Sequence, residues 1–233
     1  MKQKNIAIIP ARSGSKRIPH KNVKDFLGKP ILAYSIETAL QSGLFDEVMV
    51  STDSENIATI ARQYGAKVPF LRSRETADDY ATLSDVIDEV LQTYRDKENI
   101  EFDYVCCMLA TAPFVQKEDV IAAYNKLIHN DIDAIFPVVR YDFPIQRAMQ
   151  FEGDLIRMIA PENKDVRSQD LPPSFHDAGL FYWIKTQVFN KQKTFWTDQT
   201  SALEISAYKA QDIDTPADWQ MAELKYKLLQ ADE

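Results

Sequence analysis

The chain has 233 residues, a formal net charge of −8, a pI near 5.0 and 45% hydrophobic residues. That suits one domain of ordinary size with a buried core, and an acidic balance argues against general nucleic-acid binding, which rests on phosphate neutralisation. No apolar run reaches the roughly 18–20 residues of a membrane span, and the N-terminal run is too short for a secretory signal, so a soluble cytoplasmic protein without nucleic-acid or membrane partners is expected.

The first element is Ile6-Ala7-Ile8-Ile9, a short apolar run of the kind that forms a strand buried on both faces. Pro10 ends it, having no N–H to donate. A loop follows that carries Arg12, Lys16, Arg17, His20 and Lys21 together with Ser13, Gly14, Ser15 and Asn22. Backbone N–H groups, hydroxyls and cations in one loop match the several anionic oxygens of a polyphosphate. It is not a P-loop, which needs glycine where Ile9 stands and lysine where Ser15 stands, nor a dinucleotide fingerprint, which needs three glycines.

Pro30 opens a helix with Leu32, Ile36, Ala39 and Leu40 at helical spacing, and Gly43 stands where it would end. Glu47 to Ser51 reads as a second strand, and Asp53 or Ser54 caps a helix faced by Ile57, Ile60, Ala61 and Tyr64. Val68 to Leu71 reads as a short third strand, and Thr82 or Ser84 starts a helix with Val86, Ile87, Val90, Leu91 and Tyr94 inward. Tyr104 to Leu109 is an apolar strand containing the adjacent Cys106 and Cys107, which have no metal-ligand spacing and read as core side chains. A helix with Val120, Ile121, Tyr124, Leu127 and Ile128 and an apolar strand from Ala134 to Val139 follow.

The alternation predicts an α/β fold with a doubly wound, mostly parallel sheet, whose strand-to-helix loops gather on one edge. It breaks at Arg140. Residues 141–177 show no helical period, and the segments flanking Glu152-Gly153-Asp154 predict a β-hairpin inserted into the domain, suited to a lid or a dimerisation arm. Phe181 to Ile184 resumes the core, Ala207 to Ala210 reads as a further candidate strand, and Thr215, Pro216 and Asp218 form a capping box opening the last helix, faced by Trp219, Ala222, Tyr226 and Leu229. Just before it, Asp212 and Asp214 stand two apart on an extended segment, so both carboxylates can share a hard cation such as Mg²⁺. An aspartate-rich capping turn explains the same residues locally.

Pro10-Ala11-Arg12, Ser15-Lys16, Ile18-Pro19 and Lys21-Asn22 resemble the signature loop of the cytidylyltransferases that activate 2-keto sugar acids, and the resemblance runs with interruptions to Asp218. It implies a Rossmann-like nucleotidyltransferase fold spanning the chain, CTP and a sugar acid as substrates, Mg²⁺ as cofactor and a homodimer. The loop would hold the triphosphate through Arg12, Ser15, Lys16, Lys21 and Asn22, and Asp212 and Asp214, from the family's Asp-x-Asp-Thr segment, would hold the metal. Arg72 and the backbone near Ala81 and Leu83 would read cytosine. The catalytic set so implied is Arg12, Lys21 and Asp214.

Sugar choice would fall to Leu109 and Thr111, to Gln146 and Arg167 in the insertion, and to His176, Asp177 and Tyr182. Sialic acid synthetases carry Gln-Pro where Leu109-Ala110 stands, and arginine and asparagine where His176 and Ala178 stand. Losing those polar contacts disfavours N-acetylneuraminate. The stretches Ala110–Phe114, Phe143–Arg147, Arg167–Pro172 and His176–Gly179 resemble the branch acting on pseudaminic acid, although that branch has tyrosine and glutamine where Leu109 and Leu180 stand. Legionaminic, sialic and 3-deoxy-octulosonic acids remain alternatives, and a non-catalytic nucleotide-binding regulator is the alternative of a different class. Arg140, Arg147 and Arg167 are equivalent candidates for pairing with the sugar carboxylate.

Overall fold

The structure is a computed structural model that describes residues 3–231. Strand β1 (Asn5–Pro10) leads into the basic loop, and a two-stranded ribbon, β2 (Asp25–Phe26) and β3 (Lys29–Pro30), follows before α1 (Ile31–Ser42). Then come β4 (Glu47–Ser51), α2 (Glu55–Gln63), α3 (Leu83–Thr93), β5 (Tyr104–Met108), α4 (Lys117–His129) and β6 (Ala134–Arg140). The insertion contributes β7 (Met149–Glu152) and β8 (Leu155–Met158), and the chain returns through β9 (Phe175–Asp177), β10 (Phe181–Lys185), α5 (Thr186–Gln192), β11 (Thr200–Glu204) and α6 (Pro216–Ala231).

The central sheet runs β11-β6-β10-β5-β1-β4, with β9 paired to β6 beyond β10. β1 is parallel to β4 and β5, and β6 is parallel to β11, while β9 and β10 run against their neighbours. Five of the seven strands therefore point one way, as the alternation of elements predicts. Burial explains why β1 reads as an unbroken apolar run. Ala7 and Ile9 pack into one core with Leu32, Ile36, Leu127 and Trp219, whereas Ile6 and Ile8 pack into another with Ile87, Val90 and Phe189. Successive residues of a strand face opposite sides, and here both sides are covered by helices. Cys106 and Cys107 fall one in each core, both fully buried, and burial pushes both thiols up, Cys107 to about 12. Neither forms a reactive thiolate at neutral pH.

The caps form as the residues require. Ser54, not Asp53, caps α2 by accepting from Ile57 N–H, and Thr82 exchanges a full capping box with Asp85 at the start of α3. Two expected strands are absent. Val68 to Leu71 forms no strand and only the preceding Lys67 makes an isolated bridge, to Met49, because Pro69 removes a donor and the next bond to this edge goes from Arg72 N–H to Thr52 O (2.8 Å). Ala207–Lys209 is a 3₁₀ turn capped by Ser206, and the strand of that region is β11, which pairs with β6 instead.

The expected hairpin forms, with Gly153 in the left-handed region (φ 63°) at its turn. No residue from 141 to 177 is buried, and Met149, Phe151, Leu155, Ile156 and Ile159 are exposed.

Candidate active site

The parallel strands β1, β4 and β5 end on one edge, and a cavity of about 480 Å³ lies there. The loop after β1 supplies Arg12, Ser15, Lys16, Lys21 and Asn22 to its wall, the segment before α3 supplies Arg72, Asp79 and Ala81, the first residue of α3 supplies Leu83, and the turn after β5 supplies Leu109 and Thr111. Asp214, ahead of α6, closes the far side. Every residue expected to hold the nucleotide thus lines one cavity, although these residues span most of the sequence.

Local forces shape the cationic loop. Ile18 is buried and pins its middle to the core, and buried Asn22 donates from Nδ2 to Arg12 O (2.9 Å), closing the loop on itself. His20 adopts a left-handed conformation (φ 53°) that starts the 3₁₀ turn at Lys21–Val23. Lys21 Nζ then reaches Ile213 O (2.7 Å) and lies 3.5 Å from Asp214 Oδ1, while Arg17 pairs with the same oxygen at 2.9 Å. Arg12 donates to Asp78 O (2.9 Å) and to Asp79 Oδ1 (2.6 Å), and Lys16 pairs with the other Asp79 oxygen. Lys16 first and Arg12 next hold the Asp79 carboxyl below its ordinary range. The Asp78 side chain organises the same segment by accepting from Tyr80 and Ala81 N–H (2.8 and 2.7 Å). Asp78 and Asp79 are site residues that the sequence pattern alone does not assign a contact.

A second cavity, of about 770 Å³, shares Leu109 with the first and is lined by Arg140, His176, Asp177, Tyr182, Asp212 and Lys225. Its geometry comes from a break between β9 and β10. β6 pairs Ala134 with Ile184 and Ile135 with Trp183, but then Val138 with Asp177, so Ala178-Gly179-Leu180 are three extra residues at this point of the ladder, held by Ala178 N–H to Pro137 O (3.0 Å) and by Leu180 O, which accepts from Leu109 N–H (2.9 Å). Gly179 takes φ 63° and donates to Asp177 Oδ1 (2.7 Å), and Tyr182 Oη donates to Asp177 Oδ2 (2.6 Å). Burial foremost, then the neighbouring Asp177 carboxylate, push the Tyr182 phenol well above its usual pKa, so it remains a donor across the accessible pH range. A recess of about 230 Å³ shares Thr82 and Leu83 with the first cavity and Asp177 and Tyr182 with the second, and adds Phe195 and Trp196.

Gln146 and Arg167 line neither large cavity. Gln146 donates to Pro172 O (3.0 Å) and Ser174 Oγ (3.3 Å), and Arg167 precedes the 3₁₀ turn at Ser168–Asp170. Arg147 donates to Ser168 Oγ (3.3 Å) within the insertion, leaving Arg140 as the arginine of the three at the second cavity. Lys225, on α6, faces that cavity while donating to Ala210 O (2.8 Å); its place on an otherwise ordinary helix gave no signal in the sequence.

Among the described residues no group of three or more acidic, histidine or cysteine side chains is arranged to hold a metal ion. Asp212 and Asp214 nevertheless flank buried Ile213, so both carboxylates turn away from the core, Asp214 to the first cavity and Asp212 to the second. Both are hard oxygen donors of the kind Mg²⁺ takes together with phosphate oxygens and water, and here Asp214 Oδ1 is paired with Arg17 and Lys21.

A predominantly parallel sheet with a cationic loop at the end of its first strand defines a nucleotide-handling α/β protein, with its cavity at the carboxyl ends of the strands. The chain belongs to the cytidylyltransferase family, whose model matches residues 6–222. It is 41% identical to the pseudaminic acid cytidylyltransferase of Campylobacter jejuni over 97% of both chains, and 32% identical to the CMP-N,N'-diacetyllegionaminic acid synthase of Legionella pneumophila, again over 97% of both. In fold it is similar to a CMP:2-keto-3-deoxy-manno-octonic acid synthetase solved in complex with CTP (TM-score 0.71, 18% identity, 98% of this chain and 100% of the other). It is likewise similar to a 4-diphosphocytidyl-2C-methyl-D-erythritol synthase from Anaerococcus prevotii (TM-score 0.65, 14% identity, 97% and 99%).

Proposed function

We propose that this protein transfers the cytidylyl group of CTP to the anomeric hydroxyl of a nine-carbon 2-keto sugar acid of the pseudaminic type, releasing pyrophosphate. The observation that carries this reading is the junction of two cavities at Leu109, one basic and phosphate-loop-lined, the other flanked by Tyr182, Asp177 and Arg140. The 41% identity to pseudaminic acid cytidylyltransferases supports the choice of sugar.

In this reaction the sugar hydroxyl attacks the α-phosphorus in line, the bond to the β,γ-diphosphate breaks, and the hydroxyl proton leaves to solvent. Arg12, Lys16 and Lys21 hold the triphosphate and stabilise the charge that moves onto the leaving pyrophosphate. Arg72 and the backbone at Ala81 and Leu83 orient the base, and Ser15 and Asn22 keep the loop in shape around the phosphates. Asp177, Tyr182 and His176 meet the sugar beside Leu109 and Thr111, with Arg140 facing its carboxylate, while Gln146 and Arg167, which line neither cavity, stay within the insertion. Asp212 and Asp214 would hold Mg²⁺, which when bound supplies charge neutralisation at the α-phosphate. The exposed apolar hairpin is proposed as a homodimer contact, since a lone two-stranded ribbon is marginal in water. Among the described residues no helix is long and apolar enough to cross a membrane, and a CTP-dependent reaction suits the cytoplasm.

The test is pyrophosphate release from CTP and Mg²⁺ with pseudaminic, legionaminic, N-acetylneuraminic and 3-deoxy-octulosonic acids in turn. Release with pseudaminic acid is expected. Preference for another acid moves the substrate and keeps the reaction, and silence with all four in a protein that still binds CTP points to a regulator.

A further inference from the structure

The turn after β4, Ser51-Thr52-Asp53, touches both halves of the nucleotide cavity without lining it. β1 and β4 leave the sheet side by side, with Pro10 opposite Ser51 and one further ladder bond from Ala11 N–H to Ser51 O (2.9 Å). Beyond that bond Asp53 grips the basic loop at two points: Oδ1 accepts from Ser13 N–H (2.8 Å) and Oδ2 from Ser13 Oγ (2.6 Å). On its other side the same turn holds buried Arg72, which donates from Nε to Ser51 Oγ (3.1 Å) and from its terminal nitrogen to Ser51 O (2.6 Å), while Arg72 N–H donates to Thr52 O (2.8 Å). Burial works against the Asp53 carboxylate, but the Ser13 hydrogen bonds and the nearby Arg72 charge outweigh it and keep its pKa below the ordinary value.

A carboxylate beside a polyphosphate site is electrostatically unfavourable for an anionic ligand. Its benefit there has to be geometric, and bidentate capture of both donors of one loop residue is a geometric device. We propose that Asp53 is a positioning residue that fixes the phosphate loop, through Ser13, at a set distance from Arg72, so that triphosphate and base are held by one rigid frame. The proposal rests on the CTP reading above.

Two substitutions test it against the opposite electrostatic expectation. Asp53→Asn removes the charge and weakens both Ser13 bonds; Ser13→Ala removes the hydroxyl bond alone and leaves the carboxylate. CTP binding by calorimetry and steady-state kinetics are measured with both substrates, and hydrogen exchange follows the Ser13 amide. Asp53→Asn should weaken CTP about ten- to a hundredfold, the worth of hydrogen bonds to a charged group, speed exchange at Ser13, and leave the KM for the sugar acid unchanged. Ser13→Ala should show a smaller loss in the same direction, and combining the two should cost less than the product of the separate effects. If Asp53→Asn binds CTP as well as or better than the wild type, the positioning role is overturned. Should that variant fail to fold, unchanged CTP affinity in Ser13→Ala overturns it equally. Failure of the wild type itself to bind CTP would instead remove the nucleotide reading.

Discussion

The two cavities share a wall at Leu109 and are built by different means. The nucleotide cavity stands on strand ends that are buried except for Pro10, which lines it: Ile9, Ala11 and Ser51 are closed off from solvent, and the loops that leave them are tied back by Asn22, Asp53 and Arg72. The acceptor cavity depends on a three-residue bulge between β9 and β10, on the 3₁₀ turn at Ala207–Lys209, and on an insertion without a single buried residue. A polyphosphate presents the same anionic oxygens in every substrate, so its cradle can be rigid. Sugar acids differ in their acyl groups and hydroxyls, and an outer layer of exposed segments can change its side chains without disturbing either core.

If the comparison is right, the largest losses of activity follow from the nucleotide side. Asp214→Asn should abolish Mg²⁺-dependent turnover, because it removes a carboxylate lining the basic cavity and leaves Arg17 and Lys21 without their shared partner. A titration of activity against Mg²⁺ reads this directly, and unchanged metal dependence would refute the metal assignment. Lys21→Ala should lower kcat about 10²–10³-fold, as loss of one preorganised charge-stabilising donor does, with the circular dichroism spectrum unaltered. Normal turnover would take the loop out of the mechanism.

The acceptor side should respond more mildly and more selectively. Tyr182→Phe deletes the donor to Asp177 Oδ2 and leaves a charged group short of one partner, so about a tenfold rise in the KM for the sugar acid is expected with the KM for CTP unchanged. A loss as deep as that of Lys21→Ala, or a shift in CTP affinity, would show that the two cavities are not separable. Changing Phe151 to Asp on the exposed face of the hairpin tests the insertion in turn: the mass from light scattering should fall from dimer to monomer. An unchanged mass would leave the hairpin free to act as a lid.

The same contrast explains what could be read in the sequence. The run Ile6–Ile9 and the capping box at Thr215 are local patterns: each states its structure within a few residues, and each forms as read. The convergence of Arg12, Arg72 and Asp214 was legible only through the resemblance to the cytidylyltransferases, since Arg72 read by itself is an ordinary surface charge and the Asp212–Asp214 pair an ordinary capping turn. Val68–Leu71 misled because a β-rich composition outweighed one proline, whose missing donor decides the matter once Arg72 N–H turns to Thr52 O. β11 and the bulge at Ala178–Leu180 carry no local signal. They exist because β6 offers an edge and a register, which is information held in the partner strand. Asp53 shows the same limit: its helix-capping chemistry was visible, but its use of that chemistry on Ser13, 40 residues earlier, required the β1–β4 pairing.

The smallest expected effect tests the border between the two cavities without touching either substrate. Asp218 Oδ2 accepts from Thr215 N–H (2.7 Å), Thr215 Oγ1 (2.8 Å) and Asp214 N–H (3.1 Å), so one oxygen both caps α6 and fixes the turn that carries Asp214. Thr215 foremost holds the Asp218 carboxyl below its ordinary pKa. Asp218→Ala should lower the Tm by about 2–4 °C, the scale on which loss of a helix cap acts in a chain of this size. Because the folded pKa is depressed, the cap's contribution is present above the unfolded carboxylate value, near 4, and is lost as pH falls through the folded one. The Tm gap between wild type and variant should therefore be full at pH 7 and narrow at the acid limit. A gap that stays constant with pH would mean that the carboxylate's charge is not what holds the turn, and Asp214 would then owe its place to the backbone of Ile213 and its bond from Lys21.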